Sequence, residues 1–572
     1  MGLILPLIYT ILYLVLTSII FKDKKVITLL PVSIIISILV VYIFSLFTKI
    51  SIAFYISIFI GIISLIYCFI KKDKDLLKRW MDKDNIWIII IYFLVVLISF
   101  NKGFHGWDDY SHWGIMVKES LRLDTFYSVK ESILSIHKDY PPLATLYEIM
   151  WVKIIGSYSE AYLIRATTFL GVSFLTPVFD DKNNYLKLAI IFVTTCIFKD
   201  LSFLFYQTIY TDVLLSLSIS YSLYQTFKKT FDISDLIILA LSLSFLVLIK
   251  QVGFVFYILC LFSLLINIIF NKIKINKNFI ILLLPIIFYK SWDIYISMFE
   301  MPIQFSVDLK SLFGFIRILL FKEGESYQYI AGINYLNAIF TKGIFLNLSY
   351  VFWVIVFTLI LGYISKKDKF NKGIIYFLGA LGYSYLMLIL YMYSFGPYEG
   401  PNLASFDRYL NTYLYVGVIL IMYDVCINSI KIQLIYLILG ILISNVNLIN
   451  LKPAFTYESW GNYLHEDYNK ILKHIDKDRS LYIVVENDNG IVREMMSYYL
   501  NPIYVHGGNI EGITLDEFKS SILSSGYLYV LRSNDYIYEN YLYPALKIDY
   551  IENGTLFKIE GNFEEIVATK VE

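Results

Sequence analysis

The sequence predicts a polytopic α-helical membrane protein carrying a C-terminal α/β domain, and three observations carry that reading. Of its 572 residues 58% are hydrophobic and 17% charged, with a mean hydropathy of +0.64, far outside the range of a soluble globular chain. Runs of about twenty apolar residues recur, which is the length a helix needs to cross a bilayer. After about residue 450 the runs stop, and short strand-like and helix-like segments alternate instead. The net charge of +1 points to no particular partner, and no nucleic-acid partner is expected.

Hydropathy places spans near 3–21, 26–48, 50–70 and 86–100, then near 161–179, 186–199, 210–227, 235–250, 252–270 and 279–297. Four more follow near 345–364, 374–394, 409–426 and 432–449, for a total of about fourteen. The N-terminal MGLILPLIYTILYLVLTSIIF has neither a basic leader nor a small-residue cleavage site, so it reads as a retained first helix. Cys68, Cys196, Cys260 and Cys426 lie in apolar runs without CxxC spacing, which suggests packed small hydrophobes rather than a disulfide framework or metal knuckle.

Charge placement orients the chain. KDKK at 22–25, KKDKDLLKRWMDK at 71–83, NKIKINKN at 271–278 and SKKDKFNKG at 365–373 fall on one side of this count, which the positive-inside rule makes the cytoplasm. The loops 101–160 and 298–344, the GPYEGPNLASFDR turn and the C-terminal region then face outward. This requires that TLYEIMWVKIIG at 145–156 not cross the bilayer. With Glu148, Lys153 and a preceding Pro-Pro, it is expected to be an amphipathic helix on the outer surface.

The expected organisation is thus 1–85 as leading transmembrane helices, 86–449 as a transmembrane domain with the outer loop 101–160, and 450–572 as an extracytoplasmic α/β domain. In that last part SLYIVVEN, IYVHGG, YLYVLRS and TLFKIEG read as strands, and GIVREMMSYYL and TLDEFKSSILSS as helices. The abundance of Ile, Lys, Asn and Tyr resembles an AT-rich bacterial coding bias.

The polar stretch FHGWDDYSHWGIMVKES, 104–120, with its sequel HKDYPPLATLYEIMW, 137–151, is where chemistry is expected. Half of the six histidines, an Asp-Asp pair, three tryptophans and a Pro-Pro fall inside it. Asp108 and Asp109 stand about eight residues past the fourth span, suited to deprotonating a hydroxyl or to holding a divalent ion, magnesium or manganese. The plainer reading is that they solvate a helix end. Trp107, Tyr110 and Trp113 could stack on a sugar or simply anchor at the interface, and His112 could donate to a phosphate or be a solvated loop residue.

His137, Lys138, Asp139 and Tyr140 bring a cation and a hydroxyl to a rigid turn, fit for a lipid phosphate or for an ordinary charged surface turn. Arg165 and Asp212 are ionisable residues at the outer ends of apolar segments, costly unless used. Lys250 joins two spans and Arg408 opens another on the same face, where a snorkelling role is the alternative. Under this topology all of these groups arrive at one outer boundary.

These residues in this order resemble the GT-C superfamily, and more narrowly its protein-mannosyltransferase and aminoarabinose-transferase-like branch. The features are a carboxylate pair in the first large outer loop, Tyr-Pro-Pro-Leu, an amphipathic stretch ending in Gly, Ser-Glu-Ala and an Arg opening the next span, then TDVLLSL and LIKQVGF. The likeness covers roughly 86–300, weakens to 449, and does not extend to the leading helices or the C-terminal domain. It implies a GT-C-like transmembrane fold and a multi-pass enzyme of the cytoplasmic membrane. Such an enzyme moves a sugar from a polyprenyl-phosphate carrier to a hydroxyl of a glycan, teichoic acid or protein. By the same resemblance Asp108 or Asp109 would be the general base. Lys138 with Arg408 or Lys250 would bind the carrier phosphate, and Asp212 would shape the site. Asp-Asp stands where Asp-Glu is common, so which aspartate acts is open.

Two rival functions share the compartment. A transporter of lipid-linked glycans should carry midplane charges on broken helices in matched halves, whereas the charges here gather at one boundary. A cell-wall glycan polymerase or ligase should carry arginines in a large late loop, and 298–344 holds only Arg317.

Overall fold

The computed structural model describes residues 2–71, 74–179, 182–197, 206–304, 309–365, 371–444, 458–476 and 479–571. They form two compact units. The first comprises Met1–Phe100, Ser128–Lys130 and His137–Phe455; the second comprises Asn101–Tyr127, Glu131–Ile136 and Thr456–Glu572.

The first unit is helical, and each expected span coincides with a helix, from Leu5–Ile20 through Ile430–Ile443. The far ends of the spans 186–199 and 432–449 lie outside the described residues. Among the described residues seven helices are long and apolar enough to cross a membrane, and five shorter apolar ones accompany them; the protein is an integral membrane protein. Large side chains such as Phe59, Phe69, Leu359 and Leu442 are exposed on these helices, as lipid-facing residues should be. At the interior, Thr211–Thr226 is buried almost throughout and places Ser216, Ser218, Ser220 and Ser222 where neighbours approach closely. Small hydroxyl residues allow tight helix contact and return their own hydrogen bonds to the preceding turn, as Ser220 does to Ser216 O at 2.7 Å. This helix packs on Phe406–Cys426, Ile233–Val247 and Gly253–Asn271.

Two expectations are corrected. The segment 145–156 is not a surface helix: Leu143–Ile155 is a helix whose residues Leu143 to Val152 are all buried. Its charges do not force it outward, because Glu148 accepts from the Thr167 hydroxyl at 2.7 Å and Lys153 donates to Ser51 Oγ at 2.7 Å. At 13 residues it is about 20 Å long, too short to span a hydrocarbon core of about 30 Å. The stretch 298–344 is also not simply a loop, since it carries the helices Leu309–Phe321 and Ser326–Thr341. The first is amphipathic, and Phe313, Leu320 and Phe321 are exposed on it.

The second unit is built on a five-stranded sheet: β1 Ser480–Val485, β2 Val505–Gly508, β3 Gly526–Arg532, β4 Thr555–Gly561 and β5 Ile566–Lys570, in the order β2-β1-β3-β4-β5. The first three neighbours are parallel and the last two pairings antiparallel. The helices Ile491–Leu500 and Leu515–Ser525 connect the parallel strands as expected, the latter opened by a Thr514–Glu517 capping box. Tyr482, Val484, Leu528, Val530 and Phe557 close on Phe518 and Ile522 in the core. The edge strand β5 was not foreseen; it is short and mostly exposed.

Residues 101–127 belong to this unit rather than to the membrane part in which 86–449 had placed them. Lys102 bridges Glu458, Gly103 N donates to Glu458 O at 2.8 Å, and Trp460 N donates to Phe104 O at 2.9 Å. Tyr110 sits among Phe104, Tyr498 and Tyr499, and its hydroxyl lies 2.6 Å from Ser459 Oγ.

Glu119 ties the segment down. Its carboxylate takes two hydrogen bonds from Arg122 at 2.8 and 2.7 Å, one from Asn501 at 2.9 Å and one from Ile133 N at 2.7 Å. Burial pushes this carboxyl up, but the Arg122, Asn501 and Ile133 donors outweigh it and hold the group below its usual value. A depressed folded value means the stabilisation is complete above the ordinary carboxylate range and is lost as pH falls through the folded value. Glu119→Gln is therefore expected to destabilise this unit by about 2 kcal/mol at neutral pH and to flatten its acid dependence. Amide exchange of Ile491–Leu500 against pH in the full chain checks this.

Candidate active site

Asp212 stands in the first turn of Thr211–Thr226, and Arg408 in the first turn of Phe406–Cys426. A carboxylate suits a helix start and a cation does not, so Arg408 needs an external reason to be there. Asp212 supplies one, with its Oδ2 3.8 Å from Arg408 Nε. One turn further along both helices the Ser216 hydroxyl donates to Thr412 O at 2.7 Å, and the Thr412 hydroxyl donates to Arg408 O at 3.0 Å. These bonds fix the register that brings Asp212 and Arg408 together. Lys250, in the turn between Ile233–Val247 and Gly253–Asn271, donates to Asp212 Oδ1 at 2.8 Å. One buried carboxylate thus gathers two cations.

Aromatic rings surround the triad. Arg408 lies over Tyr210 and Tyr409, 4.8 and 5.1 Å from their centroids, and Lys250 lies 5.5 Å from the Tyr409 ring. Tyr409 stacks on Phe395, and the Tyr383 hydroxyl donates to Tyr409 O at 3.0 Å. A cavity of about 260 Å³ opens here. Its polar wall has Asp212, Lys250, Gln251, Tyr140 and Tyr409; its apolar wall has Leu215, Val252, Val255, Leu386, Met387 and Leu390. Arg408 is not among the lining residues and reaches the cavity through Asp212 and Tyr409.

The 137–143 segment is pinned beside the Lys250 turn. Leu143 N donates to Leu248 O at 3.2 Å, and Gln251 Nε2 donates to Asp139 Oδ2 at 2.6 Å, an oxygen that also takes the Gln304 N–H at 3.0 Å. Asp139 is buried, its Oδ1 has no hydrogen-bond partner among the described residues, and burial pushes its carboxyl above the usual value against those two donors. His137 adopts a left-handed backbone, stacks on Tyr140 with centroids 4.3 Å apart and donates its N–H to Gln304 Oε1 at 2.7 Å. Lys138 donates instead to Val129 O at 3.1 Å and does not line the cavity. Arg165 is buried within its own helix, with Nε 3.3 Å from Ser99 Oγ and its guanidinium over Tyr162. It too is outside the lining.

In the second unit, Asp108 and Asp109 begin a π-helical turn, Asp109–Trp113, a wide turn often found at functional sites. Asp109 is fully buried and its Oδ2 accepts from Gly106 N at 3.1 Å, whereas Asp108 is partly exposed. His112 is buried, with Nδ1 2.8 Å from Ser111 Oγ. Among the described residues no three His, Cys, Asp or Glu side chains converge.

Of the residues singled out in the sequence, the structure places Asp212, Lys250 and Tyr140 on the cavity wall and Arg408 beside Asp212. The sequence reading missed Gln251 and Tyr409, each the chain neighbour of a flagged cation, and it missed the apolar wall, whose residues look like any other membrane-helix residues.

No family model matches the chain, and no curated protein matches it. Among solved structures the chain is similar to ArnT. The crystal structure of ArnT from Cupriavidus metallidurans in the apo state aligns over 85% of this chain and 97% of its own, at 10% identity and a TM-score of 0.41. The same protein bound to undecaprenyl phosphate aligns over 85% and 98%, at 11% identity and a TM-score of 0.40. At that level the likeness assigns no role to any residue.

Proposed function

We propose that the protein is a membrane glycosyltransferase that passes a sugar from a polyprenyl-phosphate carrier to an acceptor hydroxyl on the outer face of the cytoplasmic membrane. The observation that carries this reading is the cavity of the first unit, with Lys250 and Arg408 gathered on Asp212 at one side and an aliphatic wall at the other. An anionic head on an apolar chain matches both walls. Each buried CH₂ of such a chain adds about 0.8 kcal/mol. Lys250 would bind the phosphate directly, and Arg408 would add charge and hold Asp212 in place.

The reaction is a single displacement. A carboxylate takes the acceptor proton, the hydroxyl oxygen bonds to the anomeric carbon, and the bond to the carrier phosphate breaks with inversion. The leaving phosphate is stabilised by cations already in place. Asp108 or Asp109 would be that carboxylate; Asp108 is the partly exposed one of the pair, and Asp109 is buried and accepts from Gly106 N. The outward placement of the C-terminal domain follows from the basic loops, and a glycan, teichoic acid or protein is its candidate acceptor.

Membranes containing the protein should transfer radiolabelled sugar from at least one of a panel of polyprenyl-phosphate sugars, and an engineered cysteine at 101–127 should react from outside. A loop that reacts only from the cytoplasm would sink the reading, as would the absence of transfer from every donor.

A further inference from the structure

A second polar cavity, of about 510 Å³, lies in the leading helices, between the ends of Leu5–Ile20 and Ile50–Lys71 and the short helix Lys74–Trp80. Among the described residues Lys22, Lys71 and Arg79 share it with a single carboxylate, Asp75, so positive charge is in excess there. Arg79 is anchored: it donates to Ser18 O at 2.9 Å and to Phe21 O at 3.0 Å, and also reaches Lys24 O. It thereby caps the last carbonyls of the first helix while its charge stays on the cavity wall. Lys71 Nζ lies 5.9 Å from the Tyr67 ring. Lys22 and Lys71 are exposed.

The depth of the cavity follows from its neighbours. Phe69 and Ile70, 72% and 74% exposed, immediately precede Lys71 on the third helix, and Leu77 is exposed on the short one. Apolar side chains that end in a cluster of cations mark the boundary between acyl chains and headgroups. Ile19 and Leu76 give the cavity an apolar floor.

We propose that this cavity binds the phosphate of an anionic glycerophospholipid, separately from the Asp212–Lys250–Arg408 site and independently of the reaction carried out there. The phosphodiester takes the charge excess of Lys22 and Lys71 against the fixed guanidinium of Arg79, and the acyl chains run along Phe69 and Ile70.

The test is native mass spectrometry of the full chain in detergent, incubated with phosphatidylglycerol or with phosphatidylcholine. The wild type is expected to retain phosphatidylglycerol in preference. Lys22→Gln with Lys71→Gln should weaken retention roughly tenfold, since it removes two of the three cations that line the cavity. Lys274→Gln with Lys277→Gln, on a different basic loop, should leave retention unchanged. Equal retention of the two lipids, no loss in the first pair of variants, or the same loss in the second pair would overturn the proposal. Displacement of the lipid by millimolar inorganic phosphate would overturn the lipid assignment in favour of a soluble anion.

Discussion

Asp108→Asn is expected to lower sugar transfer about 10²–10⁴-fold, the contribution of a positioned general base, while the protein folds normally. Asparagine keeps the shape and one acceptor oxygen of aspartate but cannot take the proton of an attacking hydroxyl. The partial exposure of Asp108 makes a neutral replacement cheap. Asp109→Asn acts differently: its amide oxygen can still accept from Gly106 N, so the turn should persist and transfer should fall far less. The readout is the initial rate with saturating donor, alongside amide exchange of residues 101–127. A large loss confined to Asp109→Asn would exchange the two roles. Unchanged rates in both variants would remove the pair from the mechanism.

Lys250→Ala is expected to raise the KM for the polyprenyl-phosphate donor and to lower kcat/KM about 10²-fold, because truncating one partner of a buried charge contact costs roughly 2–5 kcal/mol. Two losses combine in this variant. The donor phosphate loses its ligand on the cavity wall, and Asp212, only 4% exposed, keeps Arg408 at 3.8 Å as its remaining cation. Arg408→Ala should give a smaller loss, since it does not line the cavity and acts through Asp212 and Tyr409. Lys250→Ala combined with Asp212→Asn should recover part of the stability lost by Lys250→Ala alone, because no uncompensated carboxylate is then buried, yet it should not recover donor affinity. Recovery of donor affinity in the double variant would mean that Lys250 serves Asp212 and not the phosphate.

The helices were legible because their signal is local. An apolar run of bilayer length has few alternatives to a helix, and each expected span duly coincides with one. The alternating and helical periods after residue 450 placed β1 to β4 and their connecting helices for the same reason. The Leu143–Ile155 helix was misread because its two charges looked like solvent-seeking groups, and only tertiary contacts with Thr167 and Ser51 show them satisfied inside. The helices within 298–344 were missed because a short amphipathic segment between spans resembles a loop in hydropathy.

By itself, then, the sequence determined that this is a membrane protein, where its helices lie, that an α/β domain follows them, and which ionisable residues sit at the ends of apolar segments. The tertiary structure decided which of those residues meet. Asp212 receives Lys250 and Arg408 because Ser216 and Thr412, 196 residues apart, lock two helices in register. Lys138 donates to Val129 O and Arg165 to Ser99, and neither lines the Asp212 cavity. It also decided that residues 101–127 fold with the C-terminal domain, through Glu458, Trp460 and Asn501. Hydropathy is a property of a segment and its solvent, whereas a charge cluster depends on the packing of helices remote in the chain, which no local window of sequence encodes.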